Sequence, residues 1–172
     1  DYTIGLARMY PERNFIGVDI KGARIWRGAK TALEENLSNV AFLRTRIEQI
    51  RYFFAENEVE EIWITFADPF LNKPNRRLTA IPFLKRYLDF LKPGGLIHLK
   101  TDSDELYEFT LEEVLPNQKD YTLLYHNADI YSRELIMKEL EIKTFYEKQH
   151  LANGKTIKYL RMKNIIFGGS GY

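Results

Sequence analysis

The segment Leu-Lys-Pro-Gly-Gly-Leu-Ile-His-Leu-Lys-Thr-Asp-Ser-Asp, residues 91 to 104, carries the clearest signal for the architecture. Its Lys-Pro-Gly-Gly portion ends a helix-compatible segment, residues 96–101 form a short apolar run, and the polar residues after that run open another helical pattern. A short apolar run between amphipathic helical segments is typical of a buried parallel strand. The segment therefore predicts a helix, strand and helix in succession.

The same alternation continues upstream of this segment. Short apolar runs cover residues 14–19, 40–43 and 61–66, and helix-compatible patterns cover residues 3–9, 21–37 and 46–57. Two further helices are expected, one from Thr79 as N-cap to Lys92 and one from Asp104 to Val114. Repeated alternation of strand and helix predicts an α/β fold with a mostly parallel sheet.

The last third of the chain has a different pattern. Residues 144–151 and 156–162 flank Ala-Asn-Gly-Lys, and Asn-Gly between strand-like runs is a strong hairpin signal. We therefore expect an antiparallel hairpin to close the sheet, with Thr144 and Tyr146 on one face of its first strand. Residues 1–164 are expected to form a single domain, and the glycine-rich residues 165–172 a tail of undefined status.

Composition narrows the classes of function. The 172 residues, 45% hydrophobic, suffice for one packed core, and a formal charge of +1 means that nucleic-acid binding has to rest on local patches. The absence of cysteine excludes thiolate metal sites and a cysteine nucleophile, and the three histidines show no metal-ligand spacing, so no metal is expected. No apolar run reaches the roughly 20 residues of a membrane span, and we expect a cytoplasmic protein with no membrane partner.

Aspartates follow three of the predicted strands: Asp19, Asp68 and Asp102. In an open α/β sheet, ligands bind beyond the carboxyl ends of the strands, so these residues are candidates for a site. A carboxylate at Asp19 suits the two hydroxyls of a nucleotide ribose, although it also suits a cap for the helix that begins near Lys21. Asp102 in turn competes with Ser103 as the N-cap of the following helix.

The turn that contains Asp68 is followed by a basic segment. Pro69 prevents further strand pairing and fixes the turn, although an Asp-Pro turn is also common without any function. Lys73, Arg76 and Arg77 follow within ten residues, and each by itself is accounted for as a solvated charge. Together, an acidic turn with neighbouring basic residues suits a substrate that carries both a base and phosphates.

Six short motifs, taken in order, resemble the bacterial tRNA (guanine-N7)-methyltransferase family. They are Phe15-Ile-Gly-Val-Asp19, Phe66-Ala-Asp-Pro-Phe70, Arg76-Arg77-Leu78, Leu91-Lys-Pro-Gly-Gly95, Leu99-Lys-Thr-Asp102 and Thr144-Phe-Tyr-Glu147. Each motif is short, but the ordered series is specific. The resemblance implies a Rossmann-like fold, S-adenosylmethionine as methyl donor and tRNA as substrate. Whether the protein is a monomer or a homodimer stays open.

The resemblance also implies roles for individual residues. Asp19 is expected to bind the cofactor ribose, and Asp68 is expected to be the catalytic carboxylate beside the cofactor. Arg46 falls near the adenine, where the family usually has an acidic residue. The residues expected to meet the tRNA substrate are Lys73, Arg76, Arg77, Asp102, Thr144 and Glu147.

Three alternatives stay open. The Asp-Pro-Phe turn also resembles the Asp-Pro-Pro-aromatic turn of enzymes that methylate amino groups. A catalytically inactive tRNA-binding relative is the second alternative, because the family's first strand and glycine-rich loop have no counterpart before Asp1 and Ala67 replaces the usual Pro. A nicotinamide dehydrogenase is the third, and it depends on Asp19 alone.

Overall fold

A computed structural model of the protein describes residues 1–166, so most of the predicted tail at residues 165–172 lies outside the described range. Helices and strands alternate along the chain, as predicted. The elements are α1 (Tyr2–Met9), β1 (Phe15–Asp19), α2 (Gly22–Glu34), β2 (Val40–Arg44), β3 (Val59–Thr65), α3 (Ile81–Tyr87), β4 (Leu91–Thr101), α4 (Asp104–Glu108), β5 (Tyr121–Asn127), α5 (Phe145–Ala152) and β6 (Lys158–Asn164).

The strands form two hydrogen-bonded groups. Strands β1 and β2 pair in parallel, and the other four strands form a sheet in the order β3-β4-β6-β5. Within that sheet β3 and β4 are parallel, and β6 runs antiparallel to both β4 and β5, so β6 alone opposes the other three strands. The fold is therefore α/β with mostly parallel strands, as the sequence predicts.

The predicted hairpin at the C-terminus is wrong. Residues 145–152 form helix α5, and β6 pairs instead with β5, which lies more than thirty residues upstream. The physical reason is that Thr-x-x-Glu is a helix-start pattern: the Thr144 hydroxyl oxygen accepts from the Glu147 amide and caps the helix. Gly154, at φ +76°, then lets the chain leave the helix, so Asn-Gly marks a helix end here rather than a hairpin.

Other predicted elements also differ from the structure. The predicted helix at residues 46–57 is a 3-10 helix at Ile47–Phe53, and the predicted helix Asp104–Val114 is α-helical only to Glu108, followed by a π-helical segment.

Helix α3 covers Ile81–Tyr87 instead of extending from Thr79 to Lys92, and its N-cap is Ala80. The Thr79 hydroxyl is turned inward, 2.6 Å from the hydroxyl of Thr110, and is therefore unavailable as a cap. The Lys-Pro-Gly-Gly segment lies within β4 as a bulge, because Val59 and Glu61 of β3 pair with Leu91 and Leu96.

Apolar side chains cover both faces of the four-stranded sheet. The larger cluster joins inward-facing strand residues to helices α3 and α4, and a smaller cluster packs the other face beneath the segment before α5. Because both faces are filled, the carboxyl ends of the strands project from a rigid support. Within residues 1–166, no helix combines the length and the apolar character that a membrane span requires.

Candidate active site

A strained turn carries Asp68 beyond the end of β3. Phe66 and Phe70 on either side of it have left-handed backbones, with φ of 52° and 41°. Bulky residues rarely adopt this conformation, which costs on the order of 1–3 kcal/mol each and is typical of functional turns. The Asp68 side chain accepts a hydrogen bond from the Phe70 amide at 2.9 Å and is otherwise exposed. The turn therefore presents a carboxylate at the edge of the sheet.

The two adjacent arginines after this turn lie in different environments. The Arg77 side chain is 7% exposed, its Nε donates to the Pro69 carbonyl at 2.7 Å, and its guanidinium lies 4.5 Å from the centre of the Phe109 ring. Arg77 is thus a brace inside the turn and is not placed to meet a phosphate, contrary to the prediction that grouped it with its neighbours. Lys73 and Arg76 are exposed, and Arg76 lies over the Phe70 ring.

Asp102 lies beyond the end of the neighbouring strand, β4. Ser103, and not Asp102, provides the N-cap of α4, so the Asp102 carboxylate is free for other contacts. One carboxylate oxygen lies 3.1 Å from Lys155 Nζ and 3.4 Å from His150 Nδ1. The His150 ring stacks on the Phe66 ring at 5.9 Å, which places the Asp102 cluster beside the Asp68 turn.

Asp19 is the last residue of β1 and is linked to α5 by an arginine. One carboxylate oxygen accepts from the Lys21 amide at 3.0 Å, and the other lies 3.4 Å from Arg24 Nη1. Arg24 Nη2 also donates to the Tyr146 hydroxyl at 3.2 Å. Asp19 therefore binds the Lys21 amide in a local turn, but it is not the helix cap of the alternative prediction, because Lys21 itself is the N-cap of α2. The Asp19 side chain is 26% exposed.

Helix α5 connects these acidic residues. Tyr146 points towards Arg24 and Asp19, and His150 points towards Asp102. Residues four apart lie on the same face of a helix, roughly 6 Å apart along its axis. One helical face therefore spans the distance between the acidic residues that follow β1 and β4. The sequence singled out Thr144 and Glu147 of this segment but predicted a strand there, and it did not single out His150 or Lys155 as parts of the site.

A cleft of about 560 Å³ lies next to Asp19, beyond the carboxyl ends of β1 and β2. It is lined by Ile20, Arg44, Thr45, Arg46, Gln49 and Phe53. The volume lies within the range of small-molecule sites, and the mixture of apolar and polar side chains suits a nucleoside. Arg46, predicted near the adenine of a cofactor, is exposed at this cleft.

Glu147 lies beneath the site rather than at its surface. Its side chain is 0% exposed, and its carboxylate lies 2.6 Å from the ammonium of Lys100, also 0% exposed. Burial lowers the pKa of Lys100, and the ion pair with Glu147 opposes that shift. The prediction that Glu147 meets the substrate directly does not fit this burial. Lys100 went unnoticed in the sequence, although a lysine inside an apolar strand is a signal for a buried partner.

Thr144 caps α5 through its hydroxyl oxygen, and its hydroxyl hydrogen remains free to donate.

Within residues 1–166, no group of three or more His, Cys, Asp or Glu side chains is arranged to hold a metal ion.

Comparison with known proteins supplies the family. A family model described as "Putative methyltransferase" matches residues 1–160. A tRNA (guanine-N(7)-)-methyltransferase of Christiangramia forsetii is 55% identical over 95% of this chain and 73% of its own length. The chain belongs to the tRNA (guanine-N7)-methyltransferase family. This confirms the resemblance found in the sequence, and membership implies S-adenosylmethionine as the methyl donor.

Other comparisons agree with this assignment to a methyltransferase family. A tRNA (guanine-N(7)-)-methyltransferase of Bacteroides thetaiotaomicron is 48% identical over 95% of this chain, which spans 64% of that relative. The crystal structure of the 16S rRNA methyltransferase KamB covers 95% of this chain and 82% of its own, with a TM-score of 0.72 and 14% identity. At that identity the likeness shows the fold alone, and it confirms the Rossmann-like methyltransferase architecture.

Proposed function

We propose that this site transfers a methyl group from S-adenosylmethionine to N7 of a guanine in tRNA. The observation that carries the proposal is the arrangement of Asp19, Asp68 and Asp102 beyond the ends of three strands, with α5 beside them. The relatives are tRNA (guanine-N(7)-)-methyltransferases, and their names supply the substrate and the modified atom of the proposal. A tRNA substrate also agrees with a cytoplasmic location.

The cofactor side of the site fits Asp19 and the cleft beside it. The partly exposed carboxylate of Asp19 can accept hydrogen bonds from both ribose hydroxyls, and the cleft lined by Arg46 has room for the adenine. When bound, S-adenosylmethionine supplies an electrophilic methyl group on a sulfonium. We assign Asp68 to the side of the site between cofactor and substrate, because its carboxylate is exposed beyond the end of β3 and its turn contacts His150 of α5 through Phe66.

The substrate side requires orientation more than acid–base chemistry. Guanine N7 already carries a lone pair, so transfer needs only an in-line approach to the methyl carbon. We assign to Asp68 the acceptance of hydrogen bonds from the guanine N1–H and amino group, which orients the base and offsets positive charge as N7 is alkylated. Asp102 and the free hydroxyl hydrogen of Thr144 are the further contacts that we assign to the substrate.

The exposed cations of the turn fit the tRNA backbone. Lys73 and Arg76 are on the surface next to Asp68, where phosphates that flank the target guanine would lie. Binding through such contacts weakens steeply as salt rises, because counterions are released from the RNA. Arg77 is excluded from this set by its burial.

Transfer of a labelled methyl group to total tRNA, followed by identification of the modified nucleoside, tests the proposal. We expect N7-methylguanine, whose glycosidic bond becomes labile to mild reduction and aniline. A methylated exocyclic amine or a methylated protein would instead identify an amino-group methyltransferase. Retained tRNA binding without binding of S-adenosylmethionine in calorimetry would identify an inactive relative.

A further inference from the structure

A buried ion pair lies directly beneath the candidate site. Lys100 of β4 and Glu147 of α5 are both fully buried, with 2.6 Å between Nζ and Oε1. Removing two charges from water is costly, so such a pair persists only where each charge has well-placed partners. Apolar side chains could fill the same space without this desolvation cost, which points to a specific role for the charges.

Both charged groups have partners inside the protein, although Glu147 Oε1 meets Lys100 only as an ion pair and makes no hydrogen bond within residues 1–166. The ammonium group of Lys100 has three protons, and it donates to the carbonyls of Leu140 and Ile142 at 3.0 and 2.9 Å in addition to pairing with Glu147. The second oxygen of Glu147 accepts from the Tyr131 hydroxyl at 2.5 Å. Neither group is left free for a substrate, so any effect on the reaction acts through position.

The contacts of Lys100 fix the start of α5. Glu147 is in the first turn of α5, and the carbonyls that Lys100 binds belong to the segment just before it. Asp102 lies two residues after Lys100 on the chain that leaves β4. The pair thus ties α5 to the strand whose end carries Asp102, and α5 in turn contacts Arg24 through Tyr146 and Asp102 through His150.

We propose that Lys100 is a positioning residue for methyl transfer, which through Glu147 fixes α5. Tyr146, acting through Arg24, and His150 then hold the carboxylates of Asp19 and Asp102 at their correct separation. This inference rests on the proposed function, because it treats Asp19 as a cofactor residue and Asp102 as a substrate residue. Helix α5 then sets the distance between the cofactor residue Asp19 and the substrate residue Asp102.

The decisive variant is the double replacement Lys100→Met with Glu147→Gln, because either single replacement would leave an unpaired buried charge. Neutralising both partners of a buried pair often leaves stability near its original value. Here the carbonyls of Leu140 and Ile142 also lose their donor, so we expect the melting temperature to fall by a few degrees. We expect kcat to fall by about 10²-fold and KM for tRNA to change little. Amide hydrogen exchange in residues 145–152 should become faster.

The matched control is Glu61→Gln, at the start of β3 and far from the carboxyl ends of the strands. Glu61 is also a carboxylate in a network on the same sheet, with contacts of 2.6 Å to His98 and 2.9 Å to Arg13. Its replacement should leave kcat and exchange in α5 unchanged. A double variant at Lys100 and Glu147 with both normal activity and normal α5 exchange would overturn the proposal.

If the double variant folds poorly, Tyr131→Phe provides a second test of the same anchor. It removes a single hydroxyl donor to Glu147, and we expect kcat to fall by about tenfold with a small change in melting temperature. Unchanged kcat and unchanged α5 exchange in this variant would also contradict the proposal. Absence of methyl transfer by the wild-type chain would defeat the proposed function, whereas the exchange measurements would still decide whether the pair anchors α5.

Discussion

Carboxylates occupy two settings in this protein, the open edge of the sheet and the protein interior beneath it. At the edge, Asp68 is exposed, and its one hydrogen bond comes from an amide of its own turn. In the interior, Glu147 pairs with Lys100 and accepts from Tyr131, without contact with solvent. An exposed acid has lone pairs available for a ligand. A buried acid that is paired with other side chains can only hold other parts of the structure in place. Burial therefore distinguishes an acid that can act on a ligand from an acid that stabilises the structure.

Of the variants that test this comparison, Asp68→Asn should have the largest effect on turnover. We expect turnover to fall by about 10²–10³-fold, because an amide lacks the charge that offsets alkylation of the base, with an unchanged melting temperature. Steady-state methylation of tRNA and thermal unfolding measure the two quantities. Asp104→Asn, an exposed aspartate on α4, is the matched control and should have normal turnover. Near-normal methylation by Asp68→Asn would remove this residue from the mechanism.

Arg77→Ala tests the same contrast between buried and exposed side chains for the two arginines that follow the turn. Loss of the buried guanidinium leaves the Pro69 carbonyl without its donor, and we expect a loss of about 1–3 kcal/mol in the free energy of unfolding. Urea denaturation of this variant beside Arg76→Ala, which should have wild-type stability, provides the measurement. Equal stabilities for the two variants would show that the brace has no energetic role.

Glu61 is an acid between these two settings, with a side chain that is 23% exposed, and acid unfolding tests its contribution to stability. Hydrogen bonds from His98 and then Arg13 lower the pKa of Glu61 from 4.5 to about 2. A depressed pKa stabilises the fold above the unfolded value, so this contribution is lost as pH falls from about 4.5 to about 2. Burial also lowers the pKa of His98, which adds a loss of stability in acid that begins below 6.5. Glu61→Gln should flatten the dependence of unfolding free energy on pH between 4.5 and 2; an unaltered slope would contradict this account.

Arg76→Ala should have the smallest effect. Removing one phosphate contact is expected to weaken tRNA binding and to reduce the slope of log affinity against log salt by about 1. Filter binding or fluorescence titration at several salt concentrations gives that slope. The same slope as in the wild type would place Arg76 outside the RNA contact surface.

The parts of the fold that depend on local periodicity were predictable from the sequence. Strands β1 to β4 were located because short apolar runs alternate with amphipathic helices. The hairpin prediction is wrong because Asn-Gly occurs both in hairpins and at helix ends, and because Thr-x-x-Glu, interpreted from the sequence only as a family motif, is also a helix-start pattern.

The positions of the candidate site residues are predictable where chain topology alone sets them. Asp19, Asp68 and Asp102 follow strands, so an α/β sheet puts them at one edge without further information. Arg76 and Arg77 are neighbours with the same chemistry, and only tertiary packing buries one and exposes the other. Lys100 was missed for the same reason, because its partner lies 47 positions away, at Glu147.

The position of β6 bears on how the chain completes its fold during synthesis. Within residues 1–166, β6 is the only strand hydrogen-bonded to β5, and it also fills the place next to β4. Until residues 158–164 have emerged from the ribosome, β4 and β5 therefore have unpaired backbone groups along the sides that β6 will cover. Pairing over such sequence distances is slow, and exposed strand edges attract other chains. The nascent protein thus depends on its last described strand to close the sheet against aggregation.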